Sequence, residues 1–335
     1  MRFLRAHRTS PARRRVALAA VVAAGTLVAG CEVTPDRRSA DALQRQIDEA
    51  RSLQEQGLSE EAIAAFEAVL EDNPNLTEAQ IGLASIYEEQ GDLTTARDRY
   101  QQATESDPTS FTAHYKLGLM RQLLGDVNAA IRTYLRARAL DPDNFEVNRD
   151  LAAAYIQVGA AGEALPYAER AVELNPQSQQ AWSNLAATYS LLGRYTEAID
   201  TYRQAAEIGE LADPVLLGLA DAHIRLGNFQ RAINTLTSLI QRSPTSTAYE
   251  RMGYAQYKLR RFEEALSSFE RALSYDARDT AALNGVGVAL MTLYIEGGRE
   301  SVARRDRALA SWRRSVQINS QQPRIIDLLA RYGRF

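Results

Sequence analysis

Residues 182–205 read WSNLAATYSLLGRYTEAIDTYRQA. Trp182, Leu185, Ala186 and Tyr189 fall at helical spacing, Gly193 interrupts, and Ala198, Tyr202 and Ala205 take the spacing up again. The local reading is two amphipathic helices joined at a glycine. The stretch decides the fold because it recurs. Gly57, Gly91, Gly125, Gly159, Gly193 and Gly227 lie 34 residues apart, and so do Ala62, Ala96, Ala130, Ala164, Ala198 and Ala232. Pro74, Pro108, Pro142 and Pro176 keep the interval, give way to Glu210, and resume at Pro244. Only 19 of 335 residues are glycine, so six in one phase mark a repeat. A period of this length belongs to stacked supersecondary units.

Each recurring residue has a physical task. Gly91 and its equivalents sit between the helices, where a left-handed residue ends the first and turns the chain. Thr94, Asn128 and Thr196 are expected to cap the second helix with a side-chain oxygen. Asn73, Asp107, Asp141, Asn175 and Ser243 each precede a proline, so the second helix stops there. Small residues (Ala84, Gly118, Ala152, Ala186, Ala220 and Gly253) recur where helices must approach closely. No unit buries its apolar face alone; stacking makes one continuous core.

The order small–Tyr–Gly–Ala–aromatic–Ala–Pro resembles the tetratricopeptide repeat. In that register the repeats begin at Leu43, Thr77, Phe111, Phe145, Gln179, Asp213, Ser246 and Thr280. The seventh carries Arg260 and Ala277 where glycine and proline belong, and the eighth holds nine extra residues before Ala308 and Trp312. The resemblance implies an all-α, right-handed superhelical solenoid of about eight helix-turn-helix repeats over 42–335. Residues 323–335 are expected to form a capping helix with Ile325, Ile326, Leu328 and Leu329 as its stripe. The insertion at 295–307, with Gly297-Gly298 and four arginines, reads either as a docking loop or as a lengthened hairpin turn, and the second is favoured.

The N-terminus carries a separate message. Arg2, Arg5, Arg8, Arg13, Arg14 and Arg15 precede an apolar run at 16–30, too short for a comfortable membrane span and suited to a secretory signal. The run ends Leu27-Val28-Ala29-Gly30-Cys31, which resembles the bacterial lipobox. That resemblance implies cleavage before Cys31, the chain's one cysteine, and acylation of its thiol and amine. The expectation is a signal peptide at 1–30, a lipidated cysteine and linker at 31–41, and an envelope location. Glu32 after the cysteine, rather than aspartate, leans toward the outer membrane, facing the periplasm.

Without residues 1–30 the chain holds 33 basic and 42 acidic side chains, net −9. Residues 32–245 are net −14 and residues 246–335 net +5. The basic end reads as solvated helix faces or as a contact for an anionic partner. Nothing resembles a nucleic-acid module, and none is expected as partner. His114 and His223 take in-phase core positions, no cysteine accompanies them, and no segment outside the repeats is long enough for a catalytic domain. No metal, no cofactor and no enzymatic activity are expected.

The resemblance places ligands on the concave face, at positions 5, 9, 12 and 13 of each first helix. These positions supply Tyr115, Leu119, Leu123, Ile156, Leu191, Ile224, Tyr254 and Tyr257 as the candidate partner-binding groove. Acidic residues lie toward the first repeat and basic ones toward the last. No repeat pairs Lys at position 5 with Asn at position 9, so the family's carboxylate clamp is missing. Position 6 reads Asp48, Gly82, Lys116, Asp150, Asn184, Gly218 and Arg251, so the asparagine ladder of the sugar-transferase members is missing too. The expected function is a membrane-anchored scaffold that binds other proteins or peptides in assembling an envelope, pilus or secretion complex. The alternative is a periplasmic holdase or receptor for exported chains.

Overall fold

The computed structural model describes residues 37–333, so Cys31, the apolar run 16–30 and most of the linker lie outside the described residues. The chain divides into two units, 1–44 and 45–335. Of the first, the described residues are the opening turns of one helix; the second carries the repeats.

The helices come in pairs: α1 (Arg37–Glu55) with α2 (Ser59–Asp72), α3 (Thr77–Glu89) with α4 (Leu93–Ser106), α5 (Phe111–Leu123) with α6 (Val127–Leu140), and α7 (Phe145–Gln157) with α8 (Ala161–Leu174). Next are α9 (Gln179–Leu191) with α10 (Tyr195–Ile208), α11 (Asp213–Arg225) with α12 (Phe229–Arg242), α13 (Ser246–Lys258) with α14 (Phe262–Tyr275), and α15 (Thr280–Glu296) with α16 (Val302–Ile318). Helix α17 (Pro323–Tyr332) follows the last pair. Among the described residues there is no strand. From α3 to α15 each first helix begins at the residue the period names. Helix α1 starts six residues before Leu43, and no glycine or proline interrupts 37–42.

The turns have one construction. In the second repeat Gly91 has φ +80°, its N–H donates to Glu88 O at 3.1 Å, and Asp92 N–H donates to Tyr87 O at 2.9 Å. These are the two bonds of a Schellman closure. All six in-phase glycines have positive φ. At the seventh turn Arg260 takes the same conformation, φ +61°, with the same two bonds from Arg260 and Arg261. Capping differs from expectation: Asp92 and Asp126, immediately after the glycines, accept from Thr95 N–H and Ala129 N–H, at 3.0 and 3.2 Å. Thr94 and Asn128 sit two residues too deep, because the residue that closes the Schellman turn also starts the next helix. Thr196 fails likewise; the N-cap there is Arg194, with no side-chain cap.

Second helices end at Asn73, Asp107, Asp141, Asn175 and Ser243, each before its proline. The carbonyl three residues ahead of each first helix then needs a donor. Position 4 supplies it from Gln80 to Pro74 O (3.1 Å), Asn148 to Pro142 O (2.9 Å) and Trp182 to Pro176 O (2.9 Å). His114 Nε2 lies 3.1 Å from Pro108 O in the same arrangement, so this histidine is structural. Where proline is lost, the donor comes from elsewhere: Gln179 reaches Glu210 O at 3.0 Å and Arg314 reaches Ala277 O at 2.8 Å. At Pro244 position 4 is Tyr249, which stacks on Tyr275 instead.

Close approach explains the small residues. A Cβ on Gly118 would lie 2.6 Å from the Tyr134 ring, and one on Gly253 2.8 Å from Phe269. Ala84, Ala152, Ala186 and Ala220 are fully buried at the same phase. His223 is buried too, and burial holds its imidazole below the ordinary value.

The insertion is mostly helix. Helices α15 and α16 have 17 residues each, against 13 and 14 in the pair before, and only 297–301 link them. No protruding docking loop forms. The extra turn of α15 delivers Glu296 to Arg260, 2.7 Å away. In α17 Ile325 is buried and Leu328, Leu329 and Tyr332 pack beside it, while Ile326 is 46% exposed. The stripe therefore runs 325, 328, 329, 332, at helical spacing, and Ile326 falls outside it.

Candidate functional site

Neighbouring first helices are tied by side chains across the candidate groove. Gln54 donates to Ser85 and Glu89, Lys116 to Glu88 at 3.0 Å, Tyr115 to Asp150 at 2.7 Å, and Asn184 to Arg149 O. Further along, Arg251 Nε donates to Asp221 at 2.8 Å, and the Tyr257 hydroxyl lies 3.0 Å from Thr292. Bonds at intervals of about one repeat hold the first helices in register.

The eight predicted groove residues divide accordingly. Tyr115 is engaged: its hydroxyl is on Asp150, its ring stacks on Phe111 at 5.8 Å, and burial pushes its ionisation well above the ordinary tyrosine range. Leu119 packs with Leu117 and Met120 in the core beneath. Leu123 and Leu191 stand free, 57% and 54% exposed. Ile156 is half-buried. Ile224, Tyr254 and Tyr257 come together through two cavities. Ile224 and Tyr254 line one of about 430 Å³ with Asp221, Arg225, Glu250 and Arg251. Tyr254 and Tyr257 line the next, about 350 Å³, with Glu250, Phe269, Ala281, Asn284, Gly285 and Val288.

Reading positions 5, 9, 12 and 13 alone misses Gly285, which lies at position 6. Gly285 lines the cavity between α13 and α15 and lets the Phe269 ring close against α15, and Gly82 does the same with Phe66 beside a cavity of about 370 Å³ near α1 and α3. The signal was present in the sequence as glycine at that phase.

Among the described residues no group of three or more His, Cys, Asp or Glu side chains is placed to hold a metal. None of the described helices is long and apolar enough to cross a membrane. What the fold presents is an inter-helix surface of tyrosine, leucine and paired charges.

These features define a helical-repeat protein of the kind that binds other proteins or peptides. Family profiles described as tetratricopeptide repeat match residues 47–111, 82–145, 115–178, 177–244, 217–282 and 250–293, and the chain belongs to that family. A tetratricopeptide repeat protein from Parabacteroides merdae is similar in fold at TM-score 0.52 and 19% identity, over 75% of this chain and 99% of that one. The Cut9-Hcn1 hetero-tetramer of APC/C gives TM-score 0.56 at 16% identity, over 88% of this chain and 59% of that one. The pilF protein of Pseudomonas aeruginosa gives 0.51 at 20% identity, over 62% and 95%. Curated protein sequences give no match.

Proposed function

We propose that this chain is a lipid-anchored scaffold of the bacterial cell envelope that gathers or positions partner proteins along the groove of its first helices. The observation that carries the reading is the recurrence of exposed apolar side chains on that surface. Leu123, Leu191 and Tyr254 are 57%, 54% and 41% exposed, at positions 13, 13 and 9 of their repeats. Apolar groups in line on a repeat surface favour a peptide helix or extended segment with apolar anchors. The lipobox-like run ending at Cys31 supports the anchor, and two acyl chains suffice for stable membrane attachment. Glu32 supports the outer membrane.

The test is photo-crosslinking in cells from residues 123, 191 and 254, with a Cys31→Ser variant alongside. One dominant adduct, lost on Leu191→Glu, together with release of the Cys31→Ser chain from membranes, is the expected result. A wide range of exported chains captured equally would favour a receptor. No adduct at any of the three would end the groove reading.

A further inference from the structure

We propose that the cavity between α13 and α15 is a subsite for a basic side chain, the lysine or arginine of a partner's peptide; the proposal rests on the groove being a peptide-binding surface. Its walls are Tyr254, Tyr257 and Val288, and its floor is Phe269. Gly285 lets the Phe269 ring seat against α15 as that floor, since a Cβ there would lie 2.4 Å from the ring. Such a slot accepts an apolar stem.

Charge decides what stands at the end of the stem. Glu250 lines this cavity and the adjoining one, and is 8% exposed. One of its carboxylate oxygens accepts from Arg251, and no described residue donates to the other. Arg251 is also shared with Asp221, through Nε at 2.8 Å. Asp221 and Asp279 both act on Glu250 electrostatically. Two carboxylates, Glu250 and Asp221, thus share one guanidinium, and Asp279, which caps α15 and accepts from Ser246, adds its negative field beside them. Burial pushes the Glu250 carboxyl up from its ordinary value, opposed by Arg251.

A second cation at the unpaired oxygen relieves this arrangement, and does so more strongly than at the surface because the local dielectric is low. Aromatic faces add their own attraction for ammonium or guanidinium. A carboxylate ligand would meet Glu250 directly and be repelled. A neutral apolar side chain would fill the slot and leave the second Glu250 oxygen buried without a donor, which is costly. Two arginines could oppose a cation: Arg251 is neutralised by its pairs with Glu250 and Asp221, Arg225 is exposed, and both line only the adjoining cavity.

The experiment selects binders to the full chain from a random peptide library and measures their affinity by fluorescence anisotropy. The expected result is selected peptides with Lys or Arg at a fixed distance from apolar residues. Replacing that residue by norleucine should weaken binding about tenfold or more, Glu250→Gln should do likewise, and the two together should cost little beyond either alone. The norleucine change leaves the protein untouched, so it stands even if Glu250→Gln perturbs folding. Peptides that lose binding on Leu191→Glu yet ignore norleucine would overturn the subsite and leave the groove. Failure to select any peptide, or binding indifferent to both protein variants, would overturn the groove and the subsite with it.

Discussion

Repeats two to four and the last two repeats reach the same helix-pair geometry by different means. Between Thr77 and Pro176 the turn is made by glycine at positive φ, the second helix is stopped by proline, and position 4 serves the prolyl carbonyl. In the seventh repeat those local devices fall away, and the eighth turns again on a glycine, Gly298 at φ +69°. Arg260 replaces glycine, Ala277 replaces proline, and the helices of the last pair lengthen. Larger side chains hold that end. Trp312, 1% exposed, packs so closely that a Cβ on Gly287 would lie 2.2 Å from its Nε1, and Phe269 lies against Gly253 and Gly285 alike. Local backbone chemistry and long-range packing are interchangeable ways to fix a repeat, and only the first leaves a periodic trace in the chain.

The sharpest way to break that comparison is to remove the packing. Trp312→Ala should cost about 3–5 kcal/mol, the usual range for a buried tryptophan. In a nearest-neighbour array the loss stays local. Hydrogen exchange should show α15, α16 and α17 deprotected while α5 to α8 keep their protection. Equal loss at both ends would mean that the array unfolds as one cooperative body and that the two regions are not energetically distinct.

Next comes the turn residue itself, where the two regions predict opposite signs. Gly193 has φ +76°, so Gly193→Ala should destabilise by about 1–2 kcal/mol, since a side chain opposes that conformation. Arg260 has accepted that cost, and Arg260→Gly removes it. The change also gives up the pair with Glu296, but the Arg260 side chain is 76% exposed and such pairs contribute little. A net gain of about 1 kcal/mol, read by denaturant unfolding, is expected. A loss instead would show that Arg260 holds the lengthened α15 in place.

The same contrast explains what was legible. Starts from Thr77 to Thr280 and stops at the prolines were readable because each is set by one residue type at one phase. Arg260's conformation was not, because arginine carries no signal for positive φ; only the geometry of its neighbours imposes it. The insertion was visible as extra length, but its division between two helices and a short turn depends on Glu296 and Trp312 finding partners far along the chain. For the groove, position counting named Ile224, Tyr254 and Tyr257, which line cavities, and also Tyr115 and Leu119, whose side chains are engaged by Asp150 and by the core. A residue's phase gives its direction; whether a neighbouring repeat covers it depends on that neighbour's side chain.

The smallest effect concerns the caps, and it separates repeats that otherwise look alike. Asp126 accepts from Ala129 N–H, whereas Arg194, at the same phase, caps nothing through its side chain. Asp126→Ala should therefore cost about 1 kcal/mol. Asp92 caps α4 in the same way, and its hydrogen bonds from Thr95 hold its carboxyl below the ordinary value. A depressed carboxyl contributes stability that is present above the unfolded pKa and lost as pH falls through the folded one, so the Asp92 cap should weaken only on the acid side of the ordinary aspartate range. Arg194→Asp would supply the missing acceptor, but the gain should fall short of the loss at Asp126. The guanidinium it removes lies 4.4 Å from the Tyr189 ring centroid and pairs with Glu197, and the new carboxylate would face that glutamate as a like charge. Equal and opposite effects at the two positions would mean that the stacked arginine contributes nothing, and that capping alone distinguishes these turns.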